Sequence, residues 1–187
     1  MREIIVVAGP TAVGKTKYAI ALAKAFDGEI VSCDSMQLYK YMNIGSAKPT
    51  DAERAEALHH LVDKIDPKEP FSVAKYSKMA KEAIEDIFSR GKTPIVSGGT
   101  GLYLNSLLYD MDFSNAPKDD ELRETLEKEA ELFGPEYIYN KLCEMDPETA
   151  KRIHPNNVKK VIRALEGASS GSSITDFKNC TKKCTDY

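Results

Sequence analysis

The segment from Gly9 to Thr16 constrains the fold of this chain more than any other part of the sequence. It reads GPTAVGKT and fits the pattern G-x-x-x-x-G-K-[ST]. A β-branched run, EIIVVA, precedes it over residues 3–8, and apolar residues at helical spacing follow it from Lys15 to Phe26. Strand, glycine turn and helix in this order are the context in which the motif binds phosphate groups. The segment therefore predicts a phosphate-binding loop.

The chemistry of the loop suits a diphosphate or a nucleotide. Its backbone N–H groups form a nest for anions, and the N-terminus of the following helix adds a partial positive charge. Lys15 supplies a full positive charge, and the Thr16 hydroxyl is expected to bind Mg²⁺. A glycine turn without a ligand is the alternative, and the flanking strand and helix argue against it. The predicted site consists of Gly9, Pro10, Thr11, Ala12, Val13, Gly14, Lys15 and Thr16.

Later segments predict an α/β fold, a P-loop NTPase-like parallel sheet flanked by helices, with a helical insertion. Residues 29–33 form a buried strand that ends at Asp34, and residues 93–97 form another that runs into Gly98, Gly99 and Thr100. The pattern also predicts a helix over residues 73–90, a loop over 43–51, a short strand over 61–65 and helices from residue 119 onward.

The expected domain organisation has three parts. Residues 1–116 form the P-loop core, residues 117–155 form a helical insertion, and residues 156–187 form a return helix of the core with a polar tail. The acidic run over residues 119–131 is interpreted as the solvated face of a helix.

Composition excludes several classes of protein. The 187 residues suffice for one main core, and no apolar run is long enough to cross a membrane, so a cytoplasmic location is expected.

His59 and His60 lack a third ligand at metal-binding spacing and are assigned an ordinary loop or core role. A net charge of -3 gives no bulk attraction for nucleic acid. Four cysteines without the CxxC spacing are interpreted as reduced thiols, namely Cys33, Cys143, Cys180 and Cys184.

A phosphate-binding loop does not define the reaction, so a kinase, an NTPase and a diphosphate-releasing transferase all remain open. An NTPase normally holds its metal with an acid after a second apolar strand. The strand over residues 93–97 is followed by Gly98 and Gly99 instead. The acid that follows a strand is Asp34, which suits a metal ligand, a general base or a simple turn cap, and spacing alone does not choose among these.

Six segments together resemble the tRNA dimethylallyltransferases, over residues 3–166. The family continues beyond this point with more strand, helix and basic surface, so this chain is expected to be a truncated member or a fragment. The segments are GPTAVGKT (9–16), SCDSMQLY (32–39), NIGSAKP (43–49), HHLVD (59–63), GGTGLYLNSLL (98–108) and IHPNNVKKVIRALE (153–166).

The resemblance implies transfer of a dimethylallyl group from dimethylallyl diphosphate to N6 of an adenine next to the anticodon of tRNA, with Mg²⁺ as cofactor. It implies that Asp34 is the general base, that Thr11 lies near the leaving oxygen, and that Lys15 and Arg163 hold the diphosphate. The residues that it implies for tRNA contact are Asp34, Ser35, Met36, Gln37, Thr100, Arg123 and Lys160.

Several alternatives stay open beside this one. Lys159, Lys160 and Arg163 also fit a solvated helix face. The other functions considered are a small-molecule or nucleotide kinase or NTPase, an isopentenyltransferase of free adenine nucleotides, a nucleotide-dependent binding module, and an inactive transferase that binds only diphosphate ligands.

Overall fold

A computed structural model describes residues 2–109, residue 111 and residues 119–169. These residues form two compact units, one made of residues 2–109 and one that includes residues 119–169. The polar tail with Cys180 and Cys184 lies outside the described residues. Cys33 and Cys143 are free thiols.

A parallel sheet of four strands organises the first unit. The strands are β1 (Ile5–Ala8), β2 (Gly28–Ser32), β3 (His59–His60) and β4 (Thr93–Gly98). Their spatial order is β1-β4-β2-β3, and every pairing is parallel. The prediction of a parallel α/β sheet is therefore confirmed, and the carboxyl ends of β1, β4 and β2 lie side by side.

Two hydrophobic clusters cover the faces of this sheet. Side chains alternate along β2, so Ile30 packs with Ala19 and Ala23 of one helix while Val31 packs in the other cluster with Tyr76. Burying an aliphatic or aromatic side chain stabilises the fold by about 1.5–3 kcal/mol. The helices of this unit are α1 (Lys15–Ala25), α2 (Asp51–Glu56), α3 (Val73–Ser89) and α4 (Gly101–Leu108).

Helix α3 follows the apolar pattern that predicts it. Ser72 accepts a hydrogen bond from the Lys75 N–H at its N-terminus, and this satisfies one of the donors left free at the first turn. Tyr76, Ala80 and Ile84 form its buried face. The helix therefore packs one full side against the sheet.

The second unit consists of helices with a core of their own. Its helices are α5 (Asp120–Phe133), α6 (Pro135–Met145), α7 (Pro147–Ala150) and α8 (Val158–Ser169). Leu126, Leu142 and Leu165 are buried together from α5, α6 and α8. Most acidic side chains of α5 are exposed, as predicted. None of the described helices is both long and apolar enough to span a bilayer. The boundaries at residues 116 and 155 stay a prediction.

Three details differ from the sequence-based expectations. The strand predicted over residues 61–65 is wrong, because Leu61 (φ 59°) and Asp63 (φ 56°) adopt left-handed backbone conformations that no strand contains. The strand in this region is β3, just before it. Helix α2 begins at Asp51, the last residue of the predicted loop, and α4 and α7 have no counterpart among the predicted elements.

Candidate functional site

A cavity of about 490 Å³ opens at the carboxyl ends of β2 and β4, beside the loop that follows β1. It lies where ligands bind in parallel α/β sheets. The phosphate-binding loop forms one wall and Asp34 lies on another, so residues far apart in the sequence face one space. Its other wall is the loop between β2 and α2. Lining residues include Thr11, Ala12, Gly14, Lys15, Thr16, Asp34, Met36, Gln37, Gly45, Ser46, Ala47, Lys48 and His59.

The loop from Gly9 to Thr16 has the conformation that an anion needs. Gly14, with φ 88°, precedes α1 and carries no side chain to cap it, so the first N–H groups of the helix remain available to a ligand. Lys15 folds across the loop, where its Nζ donates to Pro10 O at 2.7 Å. A phosphate oxygen is a stronger acceptor for this ammonium group than a neutral carbonyl. The geometry therefore favours exchange of this internal contact for a bound diphosphate.

Asp34 follows β2 in a turn that fixes its carboxylate. Oδ1 accepts hydrogen bonds from Met36 N at 2.9 Å and from Gln37 N at 3.4 Å. Thr100 holds the same turn from the neighbouring strand end, since its Oγ1 accepts from Ser35 N at 2.9 Å. Within the described part of the chain, Oδ2 makes no hydrogen bond. Asp34 is thus a turn cap through one oxygen and offers the other to the cavity.

Gln37 connects this turn to the opposite wall. Its Oε1 accepts a hydrogen bond from Ser32 Oγ at 2.9 Å, and its Nε2 donates to Ala47 O at 2.8 Å. The resemblance places Gln37 among the RNA contacts. In the structure its side chain also links the end of β2 to the loop that carries Ala47.

Lys48 is a site residue that sequence reasoning missed. Its side chain is only 6% exposed, and Nζ donates to Tyr39 O at 2.6 Å, Asn43 Oδ1 at 3.0 Å and Asp63 Oδ1 at 2.6 Å. An ammonium group has three N–H bonds, so all three have acceptors. The motif segments NIGSAKP and HHLVD contain Lys48 and Asp63, but nothing in them indicates that the two meet.

A second cation completes this cluster. Arg54 donates to Asp63 Oδ2 at 2.5 Å. Burial alone would raise the pKa of Asp63, but the hydrogen bonds from Lys48 and Arg54 outweigh it and lower that pKa. Asp63 is therefore ionised at neutral pH and anchors the cavity wall.

The two histidines form β3 and are half-buried, and His59 also lines the cavity. His59 Nδ1 donates to Ala57 O at 2.8 Å, and burial lowers the pKa of His59, so its ring is neutral at pH 7. His60 Nε2 lies 2.7 Å from Glu29 Oε2. Among the described residues, no three His, Cys, Asp or Glu side chains cluster to hold a metal ion.

The cavity nevertheless has donors that fit Mg²⁺. The Thr16 hydroxyl and the Asp34 carboxylate both line it, and Mg²⁺ prefers oxygen ligands. This ion commonly takes only one or two ligands from a protein and the rest from phosphate oxygens and water. The small donor set is therefore compatible with a magnesium diphosphate.

Three of the predicted site residues belong to the second unit. Arg123 donates to Glu166 Oε2 at 2.8 Å, so its guanidinium already has a partner. Lys160 and Arg163 are exposed on α8, and neither forms an ion pair within residues 119–169. Exposure fits both the RNA or diphosphate contacts and the solvated face considered above. Their functional roles remain predictions.

Comparison with known proteins gives one consistent result. The chain is 54% identical over 187 residues to the tRNA dimethylallyltransferase of Alkaliphilus metalliredigens. This alignment covers all of this chain and 60% of the relative. The chain is 55% identical over 166 residues to the tRNA dimethylallyltransferase of Acetivibrio thermocellus. This second alignment covers 89% of this chain and 53% of the relative. The chain thus spans 60% or less of the length of each of these relatives.

Solved structures show the same fold. A eukaryotic dimethylallyltransferase acting on tRNA superposes with a TM-score of 0.80 at 36% identity, over 96% of this chain and 44% of that chain. The tRNA isopentenylpyrophosphate transferase of Bacillus halodurans gives 0.61 at 42% identity, over 93% of this chain and 57% of that chain. A family model described as IPP transferase matches residues 37–187. Because that match covers well over half of the sequence, the chain belongs to the IPP transferase family.

Proposed function

We propose that this chain transfers a dimethylallyl group from dimethylallyl diphosphate to N6 of an adenine next to the anticodon of tRNA and releases diphosphate. The observation that carries the proposal is that the phosphate-binding loop and Asp34 line one cavity. This arrangement provides a holder for the leaving group and a proton acceptor in the same space. The names of the relatives, tRNA dimethylallyltransferases, support the choice of donor and acceptor.

The loop residues are assigned to the leaving diphosphate. The bond between C1 of the dimethylallyl group and the bridging oxygen breaks, and negative charge builds up on that oxygen. Lys15 and the uncapped N–H groups at the start of α1 stabilise this charge. Thr11, which lines the same cavity, is assigned a hydrogen bond to the bridging oxygen. Mg²⁺ held by Thr16 would neutralise part of the same charge when bound.

Asp34 is assigned to the adenine. The lone pair of N6 is delocalised into the ring, so the amine becomes a good nucleophile only as its proton leaves. The free Oδ2 of Asp34 accepts that proton while the new C–N bond forms. Oδ1 stays engaged by Met36 N and Gln37 N, which keeps the carboxylate oriented. A target base stacked in an RNA loop has to flip out to reach this cavity.

The structure argues against the kinase and NTPase alternatives. The strand beside β1 is β4, and it ends at Gly98 without a carboxylate. An NTPase would use an acid at such a strand end to hold its metal. We also propose a cytoplasmic location for this activity.

Asp34→Asn tests the proposal, with Asp27→Asn as the matched control. Asp27 is a carboxylate exposed by 85% at the opposite end of β2. Mass spectrometry of adenosine from tRNA incubated with dimethylallyl diphosphate measures transfer, and phosphate release from ATP is followed in parallel. We expect Asp34→Asn to lower the transfer rate by roughly a hundredfold while diphosphate affinity is retained, and the control to match wild type.

Two results would contradict this proposal. Binding of diphosphate by the wild-type chain without any transfer would identify a binding protein. Steady phosphate release from ATP that depends on Asp34 would identify an NTPase.

A further inference from the structure

Two large apolar side chains are exposed on the loop over residues 41–46, which we call the tip loop. Tyr41 is 78% exposed and Ile44 is 99% exposed. Single exposed apolar residues are ordinary on a protein surface, so exposure alone does not indicate a binding site. The backbone conformation of the tip loop and its position beside the cavity do indicate one.

The tip loop is held rigidly in an unfavourable conformation. Tyr41 has φ 65°, a left-handed backbone conformation that is unfavourable for a bulky residue. Ser46 Oγ donates to Met42 O at 2.6 Å, and Asn43 Oδ1 accepts from Lys48 Nζ at 3.0 Å. Because the backbone is already ordered, these side chains would lose little conformational entropy when a partner covers them.

The loop lies at the rim of the cavity. Gly45 and Ser46, which follow Ile44 directly, line the cavity together with Asp34. A molecule that places one group beside Asp34 therefore has its neighbouring part next to Ile44.

Positive charge lies beside the loop. Lys40 precedes it, and Lys64 lies on an adjacent segment, since Lys40 N donates to Ile65 O and Lys64 N donates to Leu38 O, both at 2.8 Å. Both lysine side chains are exposed, and neither forms an ion pair within residues 2–109. An apolar surface next to unpaired cations matches the base and phosphate of a single-stranded nucleotide.

We propose that the tip loop binds an unpaired nucleotide adjacent to the adenine that enters the cavity. Its base lies on Tyr41 and Ile44, and its phosphates contact Lys40 and Lys64. This inference rests on the proposed function, which supplies RNA as the partner. Flipping one base out of a loop exposes the face of its neighbour, and the rigid apolar tip covers that face.

The test compares Tyr41→Ala, Ile44→Ala and Lys40→Ala in filter binding to a tRNA anticodon stem-loop across a salt series. Phe26→Ala is the matched control, because Phe26 is an exposed aromatic residue (54%) at the far end of α1. We expect Tyr41→Ala to weaken binding about tenfold with an unchanged salt slope, and Lys40→Ala to reduce that slope by about 1. Tyr41→Phe should retain wild-type affinity, since stacking needs the ring and not the hydroxyl.

A fluorescent base tests contact directly. With 2-aminopurine beside the target adenine, wild type should quench the fluorescence on binding and Tyr41→Ala should not. If wild type binds and modifies RNA while Tyr41→Ala and Ile44→Ala equal the Phe26→Ala control, this inference is wrong and the proposed function stands. Sedimentation measures self-association of the same variants. If they lose self-association while their RNA affinity is unchanged, the tip loop is a contact between copies of the chain, and this inference is also wrong. Failure of the wild-type chain to bind RNA would overturn the proposed function together with this inference.

Discussion

Replacing Glu29 with Gln should destabilise the fold and remove part of its sensitivity to acid. Glu29 lies near the start of β2, and its side chain is 4% exposed. Arg90 donates from both terminal nitrogens to the two carboxylate oxygens, with the bond to Oε2 at 2.7 Å. His60 and Lys92 also face it. Hydrogen bonds from Arg90, opposed by burial and aided by His60, lower the pKa of Glu29 from 4.5 to about 2.

The direction and size of the effect follow from proton linkage. A carboxyl group whose folded-state pKa lies below its unfolded value stabilises the fold fully above the unfolded pKa, here 4.5. The contribution declines as pH falls from there toward about 2. At about 1.4 kcal/mol for each unit of pKa difference, the stabilisation at pH 7 is roughly 3 kcal/mol.

Urea unfolding between pH 7 and pH 2.5, on wild type and Glu29→Gln, measures this contribution. We expect Glu29→Gln to lower the free energy of unfolding by about 2–4 kcal/mol at pH 7, with the gap to wild type closing toward the acid end. Asp86→Asn is the control, because Asp86 also binds Arg90 but is 58% exposed and should contribute less than about 1 kcal/mol. Equal unfolding curves for wild type and Glu29→Gln at pH 7 would refute the reasoning.

Three further changes test the site. Lys15→Ala should weaken dimethylallyl diphosphate binding at least tenfold in calorimetry, because about 1.5–3 kcal/mol of charged hydrogen bonding is lost; unchanged affinity would remove Lys15 from the site. Lys48→Met should lower the free energy of unfolding by about 1–3 kcal/mol, because it leaves Asp63 with Arg54 as its one remaining cation within residues 2–109; a shift no larger than that of an exposed lysine would contradict the burial argument. Gly98→Ala should lower the melting temperature, because the added Cβ would lie 2.0 Å from Cys33 O. An unchanged melting temperature would show that the backbone at the ends of β2 and β4 can shift apart to accept the Cβ.

The elements that the sequence predicts well have local signals. β1, β2 and β4 are β-branched runs, and the phosphate-binding loop is a fixed motif between a strand and a helix. Helix α2 also has a local signal, since Thr50 and Glu53 form a capping box, but the polar composition of residues 43–51 favoured a loop.

The features that were missed depend on contacts between distant residues. The left-handed conformations at Leu61 and Asp63 accompany the pairing of Asp63 with Lys48, which is 15 residues away. The local sequence around Arg123 indicates a basic side chain without a partner, yet Arg123 forms an ion pair with Glu166, 43 residues later. No local pattern reports such pairs, so burial of Lys48 and pairing of Arg123 required the fold.

The position of β4 explains how one cavity can serve both halves of the proposed reaction. β4 lies between β1 and β2, and strands spaced about 4.8 Å apart put the ends of β1 and β2 about 10 Å from each other. A Cβ at Gly99 would lie 3.2 Å from Gly9 O and 3.9 Å from Lys15 Nζ, so a side chain there would fill the space beside the lysine. Glycine at this position therefore leaves the space beside the Lys15 ammonium group open.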